Sequence, residues 1–456
     1  MSAELQVENT DLGLALQFSE QHHNKWKYCE EHGKWYRWDN TRWKKDNVLT
    51  VFDDAREICR RQALIISSYL ASQKDKKEKP PVYGEPNVIM AAKTIAAVEK
   101  LARYDRRHAV ESDDLDRDDW LLATPTGTVD LKTGKMRENR QKDLISKACS
   151  VSPSSQTPTL WLAFLERIFG GDKELIDYIQ RLTGYALTGS TREQILAFFY
   201  GTGGNGKSVF LNVLRGILSE FTAVASAATF EDSKYTRHSA EIAHFRGARV
   251  VIAQETEEGS KWAEAKIKRL TGGDKVTAQF MRKDYFEFVP KFKLFIAGNH
   301  RPQLQNIDEA IRRRLHLIPF AVTIPEAERD SDLPAKLKEE WPMILGWAIK
   351  GCIDWQEGGL RPPAAVIAAT NDYLAAEDTI AEWISGAVII KKGASEEAMA
   401  LFASWSNFAD LNGYAKGSSK SLVQALEARG YTRRLHPTTR RSIVDGLSLR
   451  PLSVLD

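Results

Sequence analysis

Residues 195–200, Ile195-Leu196-Ala197-Phe198-Phe199-Tyr200, form an unbroken apolar run, and Gly201-Thr202-Gly203-Gly204-Asn205-Gly206-Lys207-Ser208 follows at once. A short apolar run closed by glycines reads as a buried parallel strand. Val209, Phe210, Val213, Leu214, Ile217 and Leu218 then recur at helical spacing. The glycines permit backbone angles that turn successive N–H groups inward as an anion nest. Lys207 is placed to reach β- and γ-phosphates, and Ser208 to offer a hydroxyl to magnesium. The N-terminal dipole of the next helix points at the same charge. The bland alternative is a glycine-rich surface turn. The strand before and the helix after favour an ATP-binding P-loop.

A hydrolytic site also needs an acid at the end of a neighbouring strand. Residues 248–254 read as such a strand, and Glu255 and Glu257 follow it. One carboxylate there holds magnesium and another orients or deprotonates the attacking water; Glu255 is assigned first and Glu257 second. Glu258 reads as a solvated loop charge. A third strand, residues 292–298, ends on Asn299, which is placed to touch a γ-phosphate or the lytic water. Arg312-Arg313-Arg314 precedes a further apolar run, residues 315–320. An arginine there can stabilise transition-state charge in a neighbouring subunit's site.

The rest of the chain sets limits. Its 456 residues suggest about three domains, and its net charge of +3 does not by itself mark a nucleic-acid binder. Cys29, Cys59, Cys149 and Cys352 lack paired spacing, the usage of a reducing cytoplasmic compartment. His22, His23, Cys29 and His32 do not match zinc spacing. The acidic and polar residues 1–11 are no signal peptide, and no apolar run approaches membrane-spanning length. Residues 34–43 read as a hairpin whose Trp35, Trp38 and Trp43 either stack bases or pack a small core; packing is the expected outcome. Residues 152–158 read as a linker. Residues 159–192 read as two helices, the first capped by Thr159. Helices return after Pro325.

These elements, with Thr271-Gly272-Gly273-Asp274-Lys275 and Asn299-His300-Arg301-Pro302 among them, resemble the superfamily 3 helicases, in particular the phage and plasmid primase/helicases of the P4 and D5 type. The resemblance implies a multidomain α/β chain, with an AAA+-like P-loop ATPase core, an α+β D5-like N-terminal region and a C-terminal winged-helix domain. Boundaries are expected at 1–157 for the D5-like region and 158–322 for the ATPase, with a helical lead-in over 158–192. A helical linker over 323–388 and a winged helix over 389–456 complete the chain. The resemblance implies a homo-hexameric ring using ATP and Mg2+ to translocate on single-stranded DNA and unwind forks, with a primase or other replication protein as partner. By the same resemblance, residues 201–208 match the Walker A loop, Glu255 the Walker B acid and Asn299 the sensor. Arg314 matches the arginine finger, with Arg313 the alternative. Magnesium falls to Ser208 and Glu255.

Between residues 261 and 301, ten Lys/Arg against four Asp/Glu leave a net +6, and residues 275–288 alternate like a hairpin. Lys275, Arg282 and Lys283 are the candidate phosphate contacts, with Phe280 or Tyr285 on bases. Residues 416–450 carry eight Lys/Arg against two Asp/Glu, again +6. A helix over 419–429 is expected to enter a groove, with Arg433, Arg434, Arg440 and Arg441 in the wing. No paired carboxylates in residues 1–150 suggest a priming site; the cluster Asp113 to Asp119 reads as an acidic loop. Two other functions fit the same residues: an ATP-switched origin-binding initiator, or the helicase subunit of a primase complex.

Overall fold

The structure, a computed structural model, describes residues 9–72, 85–232, 239–256, 258–280, 284–304, 307–414, 416–427 and 429–450. The chain opens on the helix Asp11–His22, whose first turn is capped by the Thr10 hydroxyl. An antiparallel sheet follows: β1 (Trp26–Cys29), β2 (Lys34–Trp38) and β3 (Trp43–Lys45). The helices Val51–Ser72 and Ala92–Ala102 close over it. Trp26, Trp35 and Trp43 are all buried. Their indole N–H groups donate to Asp54 Oδ2 at 2.7 Å, Glu99 Oε1 at 2.5 Å and the Gln141 carbonyl at 2.8 Å. Buried indoles need such acceptors, so these rings are core and not a platform for bases.

A meander of β4 (Leu121–Thr124), β5 (Gly127–Asp130) and β6 (Lys135–Arg137) comes next. The helices Thr159–Ile168 and Lys173–Ala186 follow. Thr159 is not the cap of the first. Glu340 takes that role, accepting from Leu160 N at 3.0 Å and Trp161 N at 2.8 Å. A carboxylate there satisfies two orphan N–H groups and opposes the helix dipole.

The central sheet holds β7 (Leu196–Tyr200), β8 (Thr222–Ser226), β9 (Val250–Gln254), β12 (Lys293–Gly298) and β13 (Leu315–Pro319). Its order is β13-β7-β12-β9-β8 and every pairing is parallel. β7, β9 and β12 are buried because helices cover both faces, which is why they read as continuous apolar runs. Between β9 and β12 a two-stranded ribbon projects, β10 (Val276–Gln279) paired with β11 (Tyr285–Phe288).

The helix Trp341–Gly358 packs on Lys173–Ala186 so closely that Gly184 and Gly351 face each other's backbones; a β-carbon on Gly184 would lie 2.0 Å from Cys352 N. The core drawn by these elements crosses residue 157: Leu122, Val129, Leu131 and Cys149 share it with Trp161, Phe199, Phe210 and Trp355. Two buried cations tie the base of the sheet to this layer. Lys293 Nζ donates to the Thr188 and Ser190 carbonyls, and Arg249 to those of Leu187 and Leu121. Burial pushes both pKa values down. Lys293 therefore contributes nothing to the basic surface inferred from residues 261–301.

The C-terminal unit has its own core around Trp383, Leu401, Trp405 and Leu426. It consists of helices Thr379–Ala387, Ala398–Leu411 and Ser419–Glu427 with a sheet β14 (Val388–Glu397), β15 (Thr432–Leu435) and β16 (Ser442–Leu449), in the order β14-β16-β15. β14 is a third strand that the sequence did not signal. None of the described helices is long and apolar enough to cross a membrane.

Candidate functional site

The glycine-rich segment connects the C-terminal end of β7 to the helix Lys207–Leu218. Gly203, Gly204 and Gly206 take positive φ values of 103°, 63° and 86°, the region glycine enters without strain. Gly201 is required by close approach: a β-carbon there would sit 2.0 Å from Asn205 Nδ2 and 2.5 Å from the Phe320 carbonyl oxygen.

Lys207 is buried, and its ammonium is held by three oxygens. It donates to the Gly201 carbonyl at 2.6 Å, Asn205 Oδ1 at 3.0 Å and Asn299 Oδ1 at 3.1 Å. Burial lowers its pKa from the usual lysine value. Asn205 is fixed in turn by its amide, which donates to the Phe320 carbonyl at 3.2 Å. The ammonium is thus stationed beneath the loop before any ligand arrives, which limits the ordering cost of binding an anion.

β9 and β12 are neighbours in the sheet, so their ends deliver Glu255 and Asn299 to the same edge as the loop after β7. Glu255 follows β9 directly with φ of 67°, a left-handed conformation uncommon for a side chain this size. Its N–H donates to the Ala297 carbonyl at 3.1 Å, which holds the turn. Such conformations cost energy and gather at functional sites. Thr256, next along, is buried and donates to the His300 carbonyl at 2.7 Å.

Together these residues line a cavity of about 660 Å³. Lys207, Ser208, Glu255 and Asn299 form its polar floor; Leu160, Phe164, Val209 and Leu333 form an apolar wall. Oxygen ligands suit a hard divalent cation, and Ser208 and Glu255 supply a hydroxyl and a carboxylate to one space. The donor set and the nest fit a magnesium-bound nucleoside triphosphate. Arg167, Glu328, Arg329 and Asp330 also border the cavity. The sequence reading missed them because nothing local distinguishes them from surface charges; the packing of the helix Thr159–Ile168 brings in Arg167, and the return of the chain over the loop brings in the other three.

The remaining candidates lie elsewhere. Arg314 precedes β13, whose first residue Leu315 is level with Leu196. It sits at the opposite end of the sheet from the glycine-rich loop, about 15 Å away by strand rise. It is buried; Nε donates to Thr271 Oγ1 at 3.1 Å and Nη1 to the Ala310 carbonyl at 2.8 Å. Arg313 is exposed and donates to Gln194 Oε1 at 3.3 Å. Lys275 is exposed at the start of β10. Glu257, Arg282 and Lys283 lie outside the described residues. The described parts of the hairpin are held by aromatic contacts. Phe280 stacks on Phe286 at 5.4 Å, and the Arg246 guanidinium lies 5.0 Å over Phe286. Arg246 also pairs with Glu31 of the N-terminal unit. Tyr285 is 68% exposed.

Residues 15–170 match the family described as "D5 N terminal like", and residues 199–314 a family of unknown function, DUF5906. The chain is 23% identical to a protein of Acanthamoeba polyphaga mimivirus named "Putative helicase", over 90% of this chain and 46% of that protein. It is 24% identical to a Frog virus 3 protein of the same designation, over 63% of this chain and 32% of that one. The chain thus spans less than half the length of these relatives. Among solved structures it is similar to the NrS-1 C-terminal region, at 12% identity and a TM-score of 0.41, over 71% of this chain and 83% of that one. The D5-type match over residues 15–170 and the viral helicase relatives together support one assignment, a D5-type superfamily 3 helicase/primase.

Proposed function

We propose that this protein hydrolyses ATP and uses the turnover to translocate on single-stranded DNA and unwind duplex DNA during replication of a phage, plasmid or prophage element. The observation that carries this reading is the meeting of Lys207, Ser208, Glu255 and Asn299 in one cavity beside a nest of positive-φ glycines. In it, residues 201–208 act as a P-loop in an AAA+-like core: the N–H groups and Lys207 bind the phosphates. Ser208 and Glu255 would hold Mg2+, whose charge would offset that of the phosphates. Glu255, or Glu257 beyond it, takes the proton of the attacking water, and Asn299 orients that water or the γ-phosphate.

Arg314, or the exposed Arg313 beside it, completes the neighbouring subunit's site in a homo-hexamer. Its position at the far end of the sheet supports action in trans, since it is out of reach of its own loop. Lys275, Arg282 and Lys283 contact strand phosphates from the hairpin. The C-terminal unit, from Thr379 onward, acts as a winged helix on duplex DNA; β15, with Arg433 and Arg434, is exposed along its length. The domain order is a D5-like region over 1–157, an ATPase over 158–322, a helical linker over 323–388 and the winged helix beyond, with one core spanning the first boundary and the helix Thr379–Ala387 packing with the last unit.

Unwinding of a forked duplex with ATP and Mg2+, measured beside ATP turnover, tests the reading. Turnover without strand separation, in an assembly that binds origin duplex, would replace it with an ATP-switched initiator or a helicase subunit that needs a primase partner.

A further inference from the structure

After β13 the chain turns back across the glycine-rich loop of its own subunit. Phe320 N donates to the Tyr200 carbonyl at 2.7 Å, and Ile324 N to the Gly204 carbonyl at 2.9 Å. Arg329 Nε then donates to the Ile324 carbonyl at 3.0 Å. This chain of bonds fixes the Arg329 guanidinium over Gly204, so close that a β-carbon at that glycine would lie 2.5 Å from Arg329 Nη2. Arg329 borders the same cavity as Lys207, Glu255 and Asn299.

The charges around it are already matched. Glu328 pairs with Arg167, and Asp330 with Lys336 at 2.6 Å. No carboxylate pairs with Arg329 among the described residues. Its neighbours' acids are therefore spent elsewhere, and an unpaired guanidinium faces a loop built to hold an anion. Arginine's planar fork matches phosphate oxygens with two parallel donors.

We propose that Arg329 is a second phosphate-binding cation, supplied in cis at the rim of the cavity opposite Lys207. The inference rests on reading the glycine-rich loop as a nucleotide site. Lys207 holds the phosphates from the floor; Arg329 closes over them from above and bonds to the terminal phosphate oxygens. Gly204 is part of the same device, because any side chain there displaces the guanidinium.

The test is equilibrium binding of a non-hydrolysable ATP analogue, ADP and AMP to the full chain with Mg2+, for the native protein and for Arg329→Ala, Arg329→Lys and Lys207→Ala. A charge-assisted bond of ordinary strength predicts that Arg329→Ala weakens the triphosphate about ten- to a hundredfold. ADP should lose less and AMP nothing, and Arg329→Lys should recover part of the loss. An equal loss for all three nucleotides overturns the proposal, because Arg329 then only shapes the wall. No loss for the triphosphate overturns it as well. If Lys207→Ala also leaves the triphosphate affinity intact, the nucleotide site itself is misassigned. A loss in Lys207→Ala alone overturns only the role given to Arg329.

Discussion

Lys207 Nζ and Asn299 Oδ1 are 3.1 Å apart although 92 positions separate them in the chain. The bond joins the end of β12 to the glycine-rich loop after β7. Under the proposed function, the lysine would exchange this amide oxygen for a phosphate oxygen. On this arrangement Asn299→Ala should lower kcat by about a hundredfold, the scale for losing one pre-positioned donor in a charged transition state. It should raise KM much less. A mutant with normal kcat would remove Asn299 from the chemistry.

Removal of the cation is more severe. Lys207→Ala should abolish turnover, while Glu255→Gln should keep nucleotide binding and lose hydrolysis. The pair separates binding from chemistry, and single-turnover hydrolysis beside analogue binding measures both. Hydrolysis at the native rate in Glu255→Gln would pass the general-base role to Glu257.

The two arginines before β13 should part in stability as well as activity. Arg314→Ala leaves the Ala310 carbonyl without its buried donor, a cost of about 1–3 kcal/mol, and should lower the thermal midpoint. Arg313→Ala should not. Whichever carries the trans role should bind ATP yet hydrolyse it about a thousandfold more slowly. Activity should return on mixing with Lys207→Ala subunits, since one interface then holds both intact partners. Mixed rings that stay inactive for both variants would end the trans assignment.

The double change Arg282→Ala with Lys283→Ala should leave DNA-independent ATPase intact and remove its stimulation by single-stranded DNA. The salt dependence of binding should become shallower by up to about two charges per engaged subunit. Native unwinding in the double mutant would move the DNA-driving role to the basic C-terminal unit.

Two histidines, His108 buried and His316 partly exposed, set an acid limit. Burial pushes His316, whose Nδ1 lies 2.7 Å from the Tyr178 hydroxyl, down to about 4, and does the same to His108. Each binds its proton more readily unfolded, near 6.5, than folded. Stability is therefore complete above pH 6.5 and falls as the pH drops from there towards 4, by up to about 3 kcal/mol for each residue. Thermal midpoints from pH 8 to 4 should show this fall, and His316→Gln, which keeps an acceptor for Tyr178, should flatten it. An unchanged slope in that variant would assign the acid sensitivity to other groups.

The glycine-rich loop between β7 and its helix was legible in the sequence because its demands are local. Strand, glycines, lysine and helix are contiguous, and each has a backbone or periodic reason for its place. β9 and β12 were legible for the same reason, as apolar runs ending on polar residues. The tryptophans of β1 to β3 were legible only as a choice, which their buried N–H acceptors decided. Other features were set by packing between distant segments. Glu340 caps a helix that begins at Thr159, the core joins Leu122 to Phe210, and Arg314 turns inward while Arg313 stays exposed. Arg329 reaches Gly204 only because the chain after β13 folds back along the loop. Local sequence fixes which backbone conformations are cheap; which side chains then share a cavity depends on long-range packing, which no window of the sequence contains.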